Sequence, residues 1–119
     1  YHQWRSALYN YHAETVAALL VKAGYDENFI ERVKLAVSKK SLKSNADTQL
    51  LEDVTALVFI EHYMLDFVNK HPEYDEEKWL VIVRKTWAKM SETAQQFALG
   101  GHITLPESLV PLILKAVAK

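Results

Sequence analysis

The chain has 119 residues, of which 50% are hydrophobic and 24% are charged, and its formal net charge is −1. This profile is typical of one soluble globular domain and differs from that of a dedicated nucleic-acid binder, which usually carries a basic excess. The absence of cysteine excludes disulfides and thiolate metal sites, and the low content of glycine and proline, three of each, favours helices over a turn-rich β sandwich.

No apolar run approaches the roughly 18 residues that a membrane span requires. The first ten residues, YHQWRSALYN, are aromatic and polar and do not resemble a signal peptide. A chain without cysteine has no need of an oxidising compartment. We therefore expect a soluble, cytoplasmic protein with no membrane contact. Because the chain does not begin with Met, we expect it to be processed or trimmed.

Apolar residues at helical spacing predict a first helix from about residue 3 to residue 22. Its apolar stripe consists of Trp4, Leu8, Tyr11, Val16, Leu19 and Ala23. Gly24 suits the left-handed position that often follows a helix. Asp26 is predicted to cap a second helix, which ends near Lys40. The apolar stripe of this second helix consists of Ile30, Val33 and Val37.

The third predicted helix is the longest and is expected to be central. Ser44 and Asp47 form a start similar to a capping box, and Pro72 ends the helix after His71. Its apolar stripe consists of Leu50, Leu51, Val54, Leu57, Val58, Leu65 and Val68.

Three shorter helices complete the predicted order. The fourth begins at Asp75, and its apolar face consists of Trp79, Leu80, Val83, Trp87 and Met90. Ser91 is predicted to cap the fifth, which ends at Gly100. The sixth begins between residues 106 and 108, and with Ser108 as its cap Pro111 falls in its first turn. The pattern predicts an all-α fold, with residues 1–119 forming a single orthogonal bundle of about six helices.

Polar residues interrupt the two main stripes. His12 falls in the middle of the first stripe, with Arg5 close to it, and Glu61 falls in the middle of the third helix's stripe. Asp53 lies at the edge of that stripe. A buried glutamate is costly unless it is paired, so we expect Arg5 or His12 as the partner of Glu61, with the first and third helices facing each other. Such a pair is either a structural contact or an acid/base group in a pocket.

Basic residues cluster near the end of the second helix. They are Lys34, Lys39, Lys40 and Lys43. They fit a solvated helix end, where cations suit the helix dipole, and lysines can also hold a phosphate. No H-E-x-x-H or E-x-x-H motif, no nucleophile elbow and no phosphate-cradling glycine loop is present in the sequence.

Three stretches carry a family resemblance: YHQWRSALYNYHAETVAALLVKAGYD, QLLEDVTALVFIEHY and IVRKTWAKMS. In this order they resemble the uncharacterised bacterial and fungal family called domain of unknown function 4202, from Tyr1 to about Ser91. Members are often longer at the N-terminus, which implies that part of any site precedes Tyr1. Some are labelled glutamyl-tRNA synthetases. Residues 89–91 (KMS) are similar to the start of a K-M-S-K-S loop, but the next two residues break it and no H-I-G-H element is present, so we do not expect a synthetase.

The chain is also similar, more distantly, to the metal-dependent HD phosphohydrolases. His12 precedes Ala-Gly-Tyr at 23–25, Lys39 and Lys40 stand where that family has a His pair, and Asp53 lies in a segment similar to its Asp-bearing helix. This resemblance implies HD-like helix order, with His12 and Asp53 as ligands of a divalent metal ion. The adjacent His-Asp pair is absent, and lysine ammonium groups donate hydrogen bonds and do not ligate metals.

We thus predict an HD-like phosphohydrolase, or a degenerate relative, that acts on a small phosphorylated or nucleotide-like ligand. The candidate residues are Glu61 and Asp53 as catalytic groups, Arg5, Lys39 and Lys40 as ligand-binding groups, and His12 and Asp53 as metal ligands. The alternative is a non-enzymatic helical module for protein–protein interaction or assembly, including a homo-oligomer, for which the 11% aromatic content is the indication. Binding of RNA is a third hypothesis, supported only by the lysine cluster.

Overall fold

The computed structural model describes residues 1–39 and 44–118. In these residues the chain forms six helices and one 3₁₀ turn, with no strand, so the all-α prediction is confirmed. The helices are α1 (His2–Ala23), α2 (Glu27–Val37), α3 (Ala46–Val58, continued by Phe59–Tyr63 and Met64–Lys70), α4 (Glu76–Lys89), α5 (Glu92–Leu99) and α6 (Val110–Val117).

The helices are grouped in two compact units, Tyr1–Glu52 and Asp53–Lys119, and α3 contributes residues to both. A single domain over residues 1–119, orthogonal packing and HD-like helix order all stay predictions. No helix of residues 1–39 or 44–118 is long and apolar enough to cross a membrane.

In the first unit α1 packs along α2. Two residues of α1 are buried, Ala13 and Ala17. Their small side chains allow the two helices to approach closely. The predicted stripe of α1 is therefore wrong, since Trp4, Tyr11 and Leu19 are each at least 60% exposed. Apolar side chains lie all around this helix, and their spacing alone does not identify the face that is covered.

The caps at the junction of α1 and α2 agree with the prediction. Gly24 adopts a φ of 87°, a left-handed conformation that costs glycine little, and its amide reaches the carbonyls of the last turn of α1. Asp26 Oδ1 accepts a hydrogen bond of 2.8 Å from the amide of Phe29. In α2, Ile30 is buried as predicted.

The cap of α3 differs from the prediction, because Asn45 takes the place expected for Ser44. Asn45 Oδ1 accepts hydrogen bonds from the amides of Asp47 at 3.0 Å and Thr48 at 3.1 Å. Asp47 is thereby free to form a two-pronged ion pair with Arg32, whose Nε and Nη2 each lie 2.8 Å from a carboxylate oxygen. This pair joins α2 to the start of α3 within the first unit.

A π-helical segment, Phe59–Tyr63, interrupts α3. The buried positions near it are Ala56, Ile60 and Met64, which follow each other at intervals of four, whereas of the predicted stripe Leu57 and Val68 are partly buried against the core. Val54 and Val58 are 48% and 41% exposed. The wider π turn shifts the helical phase, so one wheel of about 100° per residue does not describe the whole of α3.

The core of the second unit gathers residues from α3 to α6. It contains Ala56, Ile60, Met64, Leu80, Val83, Met90, Ala94, Leu109, Ile113 and Ala116. The predicted caps Asp75 and Ser91 are confirmed, since each accepts a hydrogen bond from an amide three residues later. A 3₁₀ turn, Glu107–Leu109, precedes α6, so Leu109 takes the cap position suggested for Ser108, and Pro111 lies in the first turn of α6 as predicted.

Candidate functional site

Tyr9 of α1 lies beside two cationic side chains. Arg5 Nη2 donates a hydrogen bond of 2.5 Å to Tyr9 Oη, and Arg5 Cζ is 5.6 Å from the centre of the Tyr9 ring. Lys39 Nζ is 5.1 Å from the same centre. Both distances are in the range of cation–π attraction. The structure thus brings together Arg5 and Lys39, two of the three residues predicted to bind a ligand.

A carboxylate completes this group. Glu52 Oε2 lies 3.5 Å from Lys39 Nζ, and the side chain of Glu52 is 11% exposed whereas that of Lys39 is 38% exposed. We call Arg5, Tyr9, Lys39 and Glu52 the Tyr9 cluster. With two cations and one carboxylate it carries a net positive charge at neutral pH. The Lys39 ammonium contacts Glu52 and is still open to solvent.

The backbone places these side chains in two ways. Arg5 and Tyr9 are four residues apart, so they share one face of α1. Lys39 follows the end of α2 in the left-handed region, with a φ of 59°, and is the one non-glycine residue with positive φ in residues 1–39 and 44–118. This conformation costs an L-residue about 1–2 kcal/mol. Lys39 directly follows the C-cap of α2, the position at which a left-handed residue commonly ends a helix.

Arg5 stays protonated because its surroundings favour the charged form. The hydrogen bond to the Tyr9 hydroxyl, together with the electrostatic effect of Tyr9 and Tyr1, raises the pKa of Arg5 above its ordinary value. One hydrogen bond to Tyr9 uses one of the several N–H donors that a guanidinium carries. Arg5 is therefore a permanent cation with donors to offer to an oxyanion.

The other members of the predicted lysine cluster do not add to this group. Lys40 and Lys43 lie outside the described residues. Lys34 Nζ lies 3.1 Å from Glu14 Oε1 and 4.0 Å from Glu31 Oε1, so it is engaged in ion pairs along α1 and α2.

Asp53, predicted as a metal ligand and catalytic group, is bound to Ser91. Its Oδ1 accepts from the Ser91 amide at 2.8 Å and its Oδ2 from the Ser91 hydroxyl at 2.6 Å. The hydroxyl also caps α5 by accepting from the amide of Ala94 at 3.2 Å. The observed contacts thus place Asp53 at the start of α5, where a carboxylate also suits the helix dipole.

Glu61, the other predicted catalytic group, lies in the π-helical segment. One carboxylate oxygen accepts a hydrogen bond from the backbone amide of Thr104, and the other lies 2.8 Å from His62 Nε2. Thr104 and His62 are therefore the partners of Glu61 within the second unit, and its pairing with Arg5 or His12 of the first unit stays a prediction. The Glu61–His62 contact therefore joins two neighbouring residues of the π segment.

His12, predicted as a metal ligand in a buried stripe, is an exposed residue of α1, and its ring lies 6.0 Å from that of Tyr11. The expectation that its position is buried was wrong. Within residues 1–39 and 44–118 no three His, Asp or Glu side chains are grouped as a metal ion would require.

Tyr9, Glu52 and Asn45 were not among the residues predicted from the sequence. The spacing of Tyr9 from Arg5 was a usable signal, because residues four apart on a helix are neighbours. The contact of Lys39 with Tyr9 and Glu52 had no local signal, since it depends on how α2 ends and where α3 begins.

Comparison with known proteins identifies a family but no characterised relative. Residues 1–113 match the family model described as Domain of unknown function (DUF4202). No curated protein and no solved structure matches the chain. The matched residues contain the whole Tyr9 cluster together with Asp53 and Glu61.

Proposed function

For this chain, which belongs to the family described as Domain of unknown function (DUF4202), we propose binding of a small phosphorylated ligand at the Tyr9 cluster. The convergence of Arg5 and Lys39 on Tyr9 is the observation that carries the proposal. In this role Arg5 supplies a fork of donors to the phosphate oxygens, and Lys39 supplies a point charge.

Glu52 has a defined part in this proposal. Its carboxylate competes with the ligand for Lys39, since it lies 3.5 Å from Nζ. Because the Lys39 side chain is 38% exposed and its contact with Glu52 is 3.5 Å long, a dianionic phosphate can replace Glu52 at the ammonium. Glu52 then keeps the empty site from binding monovalent anions tightly and favours ligands of higher charge.

Hydrolysis is not included in the proposal. The HD-like hypothesis needs His12 and Asp53 as metal ligands and Glu61 or Asp53 as a catalytic group, and it stays a prediction from the sequence. In the structure Asp53 and Glu61 bind Ser91 and Thr104 respectively, which supports structural roles for both.

The test is calorimetric titration of the chain with sodium pyrophosphate at low salt. Two charge-assisted hydrogen bonds of about 2 kcal/mol each correspond to a dissociation constant on the order of 1 mM. We expect Arg5→Ala and Lys39→Ala each to weaken binding by about tenfold or more, and Glu52→Gln to strengthen it.

Lys34→Ala is the matched control, because it removes a cation from the same unit whose partners are Glu14 and Glu31. It should leave the dissociation constant unchanged. Absence of saturable binding by the unaltered chain, or an equal loss in Lys34→Ala and Lys39→Ala, would contradict the proposal.

Self-assembly is the second candidate function, and the exposed apolar side chains of α1 favour it. Tyr11 and Leu19 are 66% and 60% exposed and lie on one open stretch of the helix with Thr15, Ala18 and Lys22. Light scattering tests this candidate. A defined oligomer that Leu19→Ser converts to a monomer supports it, and a monomer at all concentrations counts against it.

A further inference from the structure

Two further aromatic rings extend the Tyr9 cluster along α1. Arg5 Cζ lies 5.6 Å from the centre of the Tyr1 ring, as it does from that of Tyr9. The Tyr1 ring in turn lies 6.5 Å from that of Trp4, at an interplanar angle of 32°. Two aromatic rings, Trp4 and Tyr1, are thus followed by Arg5, Tyr9 and Lys39 along one strip.

Trp4 is the unusual member of this strip. Its side chain is 62% exposed, and tryptophan is ordinarily well buried on average. By contrast, Trp79 of α4 is 6% exposed and belongs to the interior of the second unit. An indole this exposed is open to solvent, and a planar ring can stack on it.

We propose that the ligand of the Tyr9 cluster is a nucleoside phosphate, whose base stacks on Trp4 and whose phosphate binds Arg5 and Lys39. This inference rests on the proposed function, because it requires an anion at the cationic end of the strip. A nucleotide carries an aromatic base at one end and negative charge at the other. The strip has two aromatic rings, Trp4 and Tyr1, at one end, and both of its cations, Arg5 and Lys39, lie beyond them around Tyr9.

Simple helix geometry accounts for part of the strip without any ligand. Tyr1, Arg5 and Tyr9 follow each other at intervals of four, and such neighbours stabilise a helix surface by contact alone. That explanation does not account for Lys39, which arrives from the end of α2, or for the exposure of Trp4. These two features define the two ends of the strip.

The experiment compares three ligands that share a phosphate: adenosine 5′-monophosphate, ribose 5-phosphate and inorganic phosphate. Calorimetry gives the dissociation constant of each for the full chain at low salt. Stacking of one base predicts that adenosine 5′-monophosphate binds about tenfold tighter than ribose 5-phosphate. In Trp4→Ala this preference should disappear, while the affinity for ribose 5-phosphate stays unchanged.

Tyr11→Ala is the matched control, because Tyr11 is an equally exposed aromatic residue of α1 that has no part in the strip. It should retain the full preference for the nucleotide. Quenching of indole fluorescence by adenosine 5′-monophosphate should occur in the unaltered chain and be lost in Trp4→Phe, in which Trp79 and Trp87 remain as internal references.

The outcomes separate this inference from the proposed function. Equal binding of adenosine 5′-monophosphate and ribose 5-phosphate would overturn the nucleotide proposal and leave phosphate binding intact. Loss of both affinities in Trp4→Ala would also overturn it, because Trp4 would then act on the fold. Failure of all three ligands to bind, together with pyrophosphate, would overturn both. A hexa-adenylate that binds far tighter than the mononucleotide would overturn the assignment to a small ligand.

Discussion

Asp53 and Ser91 are joined by two hydrogen bonds, one from the serine amide at 2.8 Å and one from its hydroxyl at 2.6 Å. The pair fixes the first turn of α5 to α3 within the second unit. Since both carboxylate oxygens are engaged, the role supported by these contacts is structural.

Asp53→Ala should therefore lower the free energy of unfolding by about 1–3 kcal/mol, because it leaves the Ser91 amide and hydroxyl without their acceptor. Ser91→Ala should cost about 1 kcal/mol as a lost cap. Urea denaturation measures both changes, and the double variant should be less destabilised than the sum, since each change removes the same contact. Asp66→Ala, an exposed aspartate of α3, is the control and should be close to neutral.

Glu61 should protect one amide in the segment between α5 and α6. Its carboxylate accepts from Thr104 N, so Glu61→Ala leaves that amide to exchange with solvent. We expect hydrogen exchange at Thr104 to become about tenfold faster or more, as loss of about 1.4 kcal/mol implies. His62→Ala, which removes only the other partner of Glu61, should leave Thr104 protected. Equal protection of Thr104 in unaltered chain and Glu61→Ala would contradict the observed contact.

The Arg32–Asp47 pair should make stability depend on pH in acid. The hydrogen bonds from Arg32 hold the pKa of Asp47 below its ordinary value of 3.8, despite the opposing effect of partial burial. A depressed pKa contributes stability that is present above the ordinary value and is lost as the pH falls through the folded-state value. Stability should therefore decline below about pH 4 in the unaltered chain.

Arg32→Gln removes the cause of that shift. The variant should be less stable than the unaltered chain at about pH 6, and the two should converge at about pH 2, where Asp47 is protonated in both states. Denaturation by urea across this range gives the comparison. Lys22→Gln serves as the control, and its difference from the unaltered chain should not follow this acid profile.

The left-handed backbone of Lys39 should lower the free energy of unfolding of the protein. At a φ of 59° glycine carries no Cβ penalty, so Lys39→Gly should be more stable than Lys39→Ala by about 1 kcal/mol. Both variants lack the ammonium and should lose pyrophosphate binding to the same degree. Ser38 provides the control, since its φ of −74° is helical and Ser38→Gly should be less stable than Ser38→Ala. If the glycine variant were less stable than the alanine variant at both positions, the backbone of Lys39 would not be strained.

The helices and most caps could be predicted from the sequence because their signals are local. Gly24, Asp26, Asp75 and Ser91 each act on amides or carbonyls within a few residues, and each took its predicted place. Asn45 displaced Ser44 because its carboxamide reaches two amides at once. Such competition between neighbouring polar residues is decided by backbone geometry that the sequence does not display.

The buried faces of α1 and α3 could not be predicted in the same way. In α1 the covered residues are alanines, Ala13 and Ala17, whose small size is needed for close approach and gives a weak periodic signal. In α3 the π-helical segment changes the phase between Ala56 and Met64. Arg5 and Lys39 were predicted as ligand-binding residues, and the contact that unites them through Tyr9 depends on packing between α1 and α2.

The π-helical segment also has a genetic consequence. A π turn holds more residues than the α-helical turn that it replaces, so deletion of one codon within residues 59–63 can close α3 into a regular helix. The wide turn and the α-helical turn that replaces it each complete one revolution, so the residues on either side of the deletion keep their faces and Met64 stays in the interior. Loss of one codon within residues 59–63 that spares Glu61 should therefore be tolerated better than the same loss in a regular part of α3, where everything after it would rotate by about 100°.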